Sequence, residues 1–159
     1  MLLPPLPPSA KDVAKFLISL VDEDAGDSIS NLKLQKLLYY CQGFHLAAFS
    51  KPLFYEAIKK WAHGPVVPAV WQEYRQYGSS PIPPVKDFDY EQFSEQSREL
   101  LDDVFSVYGQ FSAAKLRNMS HQEPPWVDAE DNGEISHESM RKFFKTLLIE
   151  DEAPATQTR

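Results

Sequence analysis

The sequence of 159 residues has one cysteine, six glycines and no long apolar run, and each shortage removes a class of protein. With Cys41 alone no disulfide framework can form, which favours a reducing compartment. Nowhere do ~18 consecutive apolar residues occur, the length a membrane-spanning helix needs. The opening Met1–Pro8 lacks a basic stretch and an uninterrupted apolar core, so no secretory signal is expected. The glycines are dispersed: neither G-x-G-x-x-G nor G-x-x-x-x-G-K-[ST] is present to cradle a phosphate, and no G-x-S-x-G elbow presents a serine nucleophile. Basic residues are outnumbered, 16 Lys and Arg against 23 Asp and Glu. The net charge of −7 argues against broad nucleic-acid binding, which needs many cations on phosphates. The expectation is a cytoplasmic protein with neither a membrane nor a nucleic-acid partner.

Aromatic residues are plentiful, with 10 Phe, 7 Tyr and 3 Trp. A chain of about 150 residues buries roughly 68–70% of its unfolded surface, enough for one self-sufficient core. Charge is unevenly spread. Residues 28–78 carry six basic and two acidic side chains, a net of +4, which leaves −11 for the remainder. A partner that engages this segment should meet local positive charge on an acidic protein.

Periodicity predicts a mainly α, compact single domain of five to six helices, with room for a small two-stranded β element. Residues 1–9 read as a proline-rich lead-in, 10–149 as the domain and 150–159 as a flexible tail. Ser9 caps a helix over 10–22 and Ser30 caps the strongest helix, over 31–49. Further helices are predicted over 66–77, entered through Gly64-Pro65, then 90–108, 113–119 and 137–148. Residues 53–63, with Phe54, Ile58 and Trp61, suit an extended ribbon.

Four histidines invite a metal, but only Cys41 and His45 share a helix face, and His63, His121 and His137 show no ligand spacing. Neither metal nor other cofactor is expected. Cys41 lies mid-helix on an apolar face, where a thiol is inert. His121 with Glu123 could form a base and its orienting carboxylate, yet no nucleophile or oxyanion hole accompanies them, and no catalytic residue is assigned. Lys33, Lys36 and Tyr40 are expected on the exposed side of the second helix. Tyr39, Tyr40, Trp61, Trp71, Tyr74, Tyr77 and Trp126 exceed what the core needs, so two or three should be exposed for binding.

Three blocks occur in order. The first is Ser30-Asn-Leu-Lys-Leu-Gln-Lys-Leu-Leu-Tyr-Tyr40 with Gln42-Gly-Phe-His-Leu46. The second is Pro52-Leu-Phe54 with Glu56-Ala-Ile-Lys-Lys-Trp-Ala-His-Gly-Pro-Val-Val-Pro68. The third is Tyr108-Gly109, Ser112-Ala-Ala-Lys-Leu116 and Ser120-His-Gln-Glu-Pro-Pro-Trp126. Together they resemble the Panacea domain family, the phage-associated and SocA-like antitoxins of toxin–antitoxin systems. The resemblance implies a helical domain that neutralises a cognate protein toxin by direct binding, with no catalytic residues to carry over. The expected contact set is Lys33, Lys36, Tyr40, Trp61, His63, Trp71, Tyr74, His121 and Trp126. A rival reading is a proteolytic adaptor that brings a toxin to a AAA+ protease through Glu95, Glu99, Asp102 and Asp103. An enzyme built around His121 is the third.

Overall fold

A computed structural model describes the backbone over residues 6–156 and the side chains over 6–148. Residues 1–5 of the lead-in and 157–159 of the tail lie outside the described residues. Among the described residues the chain forms seven helices and one antiparallel hairpin, so the mainly α expectation holds.

Helix α1 (Ala10–Ser19) starts on a reciprocal cap: the Asp12 amide donates to Ser9 Oγ at 3.1 Å, and the Ser9 amide donates back to the Asp12 carboxylate. It stops three residues early because Asp22 caps a 3₁₀ turn over Glu23–Ala25, which Gly26 closes at φ +87°. Leu20 and Val21 still pack on the core from the turn.

Helix α2 (Asn31–Phe49) has the expected bounds, with the Lys33 amide donating to Ser30 Oγ. It is buried all round from Leu34 to Ala47, because α1, α4, α5, α7 and the hairpin all pack on it. At Gly43 a Cβ would lie 2.2 Å from the Phe144 ring, so the bare backbone is what lets the last helix lie against α2.

Strands β1 (Lys59–Trp61) and β2 (Gly64–Val66) pair with Lys59 opposite Val66, Lys60 opposite Pro65 and Trp61 opposite Gly64. Gly64-Pro65 is therefore strand rather than the entry to a helix. Pro65 is tolerated because the Lys60 backbone turns the other way: its N–H donates to Gly133 O, and its carbonyl accepts from the Asn132 amide. The Ile135 amide likewise donates to Ile58 O at 2.8 Å, so the residues leading into the last helix lie beside β1.

Helix α3 (Pro68–Tyr74) begins two residues later than predicted and gives way to a 3₁₀ turn at Arg75–Tyr77. Helix α4 (Glu95–Tyr108) starts five residues later than predicted, where Ser94 Oγ accepts from the Ser97 amide. The preceding residues form a separate 3₁₀ turn, Tyr90–Gln92, capped by Asp89. Helix α5 (Ala113–Ser120) is capped by Ser112, and α6 (Pro124–Val127) is a single turn opened by two prolines. Helix α7 (His137–Thr156) runs eight residues past the predicted end at 148. Its Met140 and Phe144 are fully buried.

Candidate functional site: the hairpin corner and the helix beneath it

Every polar side chain buried in α2 has a partner. Asn31 Nδ2 donates to Trp71 O, Gln35 Nε2 to Asn31 Oδ1 at 2.9 Å, and the Val67 amide to Gln35 Oε1 at 2.8 Å. Lys36 Nζ donates to Pro65 O at 3.1 Å. The Tyr39 and Tyr40 hydroxyls donate to the two oxygens of Glu123 at 2.9 and 3.0 Å. Gln42 Oε1 accepts from the Leu53 amide, and Gln42 Nε2 donates to Phe54 O, both at 2.7 Å. His45 donates through Nδ1 to Lys51 O, so its Nε2 accepts from the Ser97 hydroxyl. These bonds tie α2 to α3, the hairpin, the residue 51–54 loop, α4 and the α5–α6 junction.

This arrangement corrects the expected exposed face. Lys36 is 1% exposed and Tyr40 0%, and Tyr40 stacks on Tyr108 with centroids 4.4 Å apart. Lys33 is half-buried and donates to Gly109 O beside a recess of about 410 Å³. A helix packed on every side leaves no solvated stripe for these groups. Burial lowers the Lys36 ammonium to about 7, and nearby Arg117 adds to the effect. Burial raises the Glu123 carboxyl to about 7, although the two tyrosine hydroxyls pull the other way. Burial, together with Glu123, also holds both tyrosines well above their ordinary range. The Cys41 thiol is raised by burial alone, as an inert core group should be.

Four of the predicted contact residues meet at the hairpin. The Trp61 and Trp71 rings lie edge to face at 6.0 Å, and Trp126 Nε1 donates to Trp61 O at 3.2 Å. His121 stacks on Trp126, with centroids 4.1 Å apart and planes 19° from parallel. Lys60 Nζ sits 4.4 Å from the Trp126 ring centre and donates to Ala129 O and Val127 O. Asp131 is 3.8 Å from the same ammonium. A recess of about 430 Å³ opens between Trp61, Trp126 and Asn132.

His63 is exposed at the hairpin turn. Tyr74 is buried, and Tyr40 and Lys33 lie elsewhere, so these three do not join the corner. None of the seven predicted binding rings is among the exposed large apolar residues; Tyr55 and Tyr90 are exposed instead. The postulated pairing of His121 with Glu123 is not made, because the carboxylate is spent on Tyr39 and Tyr40. Glu95, Glu99, Asp102 and Asp103 are all exposed on α4. Burial and then Asp103 raise the Asp102 carboxyl above its ordinary value.

Sequence reasoning missed Lys60, Arg117 and Val127 at the corner, and Gln35 and Gln42 inside. A signal existed for the glutamines: uncharged amides inside an apolar helix must be satisfied by backbone from another element.

A small helical domain with a β-hairpin held at one corner is the class this architecture defines. The chain belongs to the antitoxin SocA-like, Panacea domain family, whose model matches residues 34–127. That span runs from α2 through α6 and includes every candidate contact residue but Lys33. The chain is 30% identical to the protein named Antitoxin SocA from Caulobacter vibrioides (strain NA1000 / CB15N) over 146 residues, which cover 78% of this chain and 74% of that protein. No solved structure matches the chain. Among the described residues, no helix is long and apolar enough to cross a membrane.

Proposed function

We propose that this protein is a cytoplasmic antitoxin that neutralises a cognate protein toxin by direct binding at the hairpin corner. The observation that supports this reading is a division within the family-matched span. The polar groups of α2 are consumed by internal hydrogen bonds, while Trp61, Ala62, His63, Trp126 and Val127 stay accessible around the recess. Tryptophans beside a cation supply the apolar anchors that dominate interface energies, and the local positive charge supplies steering. The experiment pairs this chain with the small protein encoded beside it. A toxic neighbour tolerated by cells only in the presence of this protein, and held by it in a stable complex, is the expected result. A neighbour that is equally toxic with and without it overturns the reading.

The exposed acidic side of α4 favours a second activity, delivery of the bound toxin to a AAA+ protease. Its charge is opposite in sign to the corner, so both could be engaged at once. The measurement is the toxin's lifetime in cells: an adaptor shortens it, and a Glu99→Lys, Asp103→Lys variant restores it.

A further inference from the structure

Cations gather beside the hairpin, where the one ion pair among the described residues, Lys60 with Asp131, leaves the others unanswered. Arg117 lies on α5 one helical turn before His121, which caps that helix. His121 rests against the Ala62 backbone, and its buried Nε2 has no well-directed hydrogen-bond partner. Lys36 lies under the same hairpin on Pro65 O, so close to Gly64 that a Cβ there would meet its Cε at 2.7 Å. His63 stands at the turn. Apart from burial and the Ala62 backbone, what acts on His121 comes from Arg117, Lys36 and His63, all cationic in kind. Together with burial, these neighbours lower its basicity.

Among the described residues, the ion pairs are Lys11–Glu73 and Lys60–Asp131, and neither involves this cluster. Glu123, the carboxylate nearest in sequence to His121, is held by two tyrosines. Arg117 is exposed, and among the described residues the one hydrogen bond of its guanidinium is a long one to its neighbour Asn118. A cluster of cationic groups beside a buried nitrogen that makes no well-directed bond offers a carboxylate oxygen complementary charge.

We infer that Arg117, His121 and His63, with Lys36 beneath them, form a seat for one acidic side chain of a protein partner, whose flanking apolar residues lie on Trp61 and Trp126. A carboxylate fits better than a polyphosphate chain. Residues 28–78 carry only +4 and the rest of the chain −11, and that excess of acid repels a nucleic-acid backbone that tracks across the surface. The assignment rests on the antitoxin reading only for the partner's identity, since the seat itself can be probed without a toxin.

The probe is the acetylated, amidated peptide Leu-Glu-Leu, added to the full chain while the His121 and His63 ring signals and the tryptophan indole signals are followed by NMR. The expected result is saturable movement of these signals and a His121 titration midpoint that rises as the anion favours the imidazolium. The Leu-Gln-Leu peptide should bind about fivefold more weakly, and Arg117→Glu should abolish the difference. Equal response to both peptides, or a response unchanged in Arg117→Glu, overturns the inference. Tighter binding of inorganic phosphate or a thymidine decamer than of the glutamate peptide also overturns it, in favour of a phosphate site. Toxin protection by the wild-type protein is scored separately: it tests the antitoxin reading, and the peptides test the seat.

Discussion

Two regions a few ångströms apart use polar residues in opposite ways. Inside α2, each buried amide, hydroxyl and ammonium has a partner in the same chain, and most of those partners belong to other elements. At the hairpin corner above it, His121 Nε2 has no well-directed partner among the described residues and the Arg117 guanidinium reaches only the next residue. Both regions lie largely in the family-matched span. The difference teaches that the sequence blocks carrying the family resemblance mostly record how the fold closes on itself. The proposed contact surface is the smaller remainder.

If α2 is structural throughout, breaking one of its bonds should cost stability before anything else. Gln42→Ala strands the Leu53 amide and the Phe54 carbonyl, both buried, and opens a hole in the loop that follows the helix. At about 1–3 kcal/mol for each stranded group, the loss should reach about 3–5 kcal/mol, read as a lowered denaturant midpoint with an unchanged slope. A loss under about 1 kcal/mol would show that α2 is not the closed element described.

The second effect is a pH signature of the same region. The folded Glu123 carboxyl titrates at about 7 against an ordinary 4.5, so between those values the folded chain holds a proton that the unfolded chain has released. Its contribution is therefore complete below 4.5 and is lost as pH rises to 7, about 3 kcal/mol in all. Lys36 runs the other way. Its ammonium is lowered from 10.5 to about 7, so its contribution is complete above 10.5 and is lost as pH falls to 7. These two groups together place a minimum of stability near neutral pH. Glu123→Gln should flatten the acid limb and Lys36→Met the alkaline limb. The apolar replacement should also stabilise the protein by about 1–4 kcal/mol at pH 6, because a buried charge is removed. Denaturant midpoints from pH 4 to 10 decide both.

How much of this was legible follows from the range of the forces involved. The caps Ser9, Ser30, Ser94 and Ser112 act within three residues, and each marks a helix start that a reader of the chain can find. Ser94 is such a cap, yet the helix is predicted from residue 90; Phe93 instead lies in the turn before α4. The burial of Lys36 was not legible, since it depends on Pro65, 29 residues away, whose carbonyl accepts the ammonium's hydrogen bond. The bond between Tyr39 and Glu123 spans 84 residues, and a local reading gave Glu123 to His121 instead. Of the corner, the three tryptophans were legible as excess aromatic surface. Their assembly was not, because it rests on one indole donating to the backbone of another strand.

The smallest stability effect bears most directly on the corner. His63 is exposed in the hairpin turn, and no hydrogen bond or ion pair among the described residues uses its side chain. Its removal therefore touches nothing that α2 relies on, and His63→Ala should move the unfolding free energy by less than about 0.5 kcal/mol. A partner that seats an acidic group beside Arg117 would lose one of the imidazoles facing it. Its affinity should then fall about threefold. Had the same residue belonged to α2, the order would be reversed, with stability lost first and binding affected only through unfolding. A His63→Ala protein that is less stable by more than about 1 kcal/mol, or that binds its toxin as tightly as the wild type, would erase the distinction between the two regions.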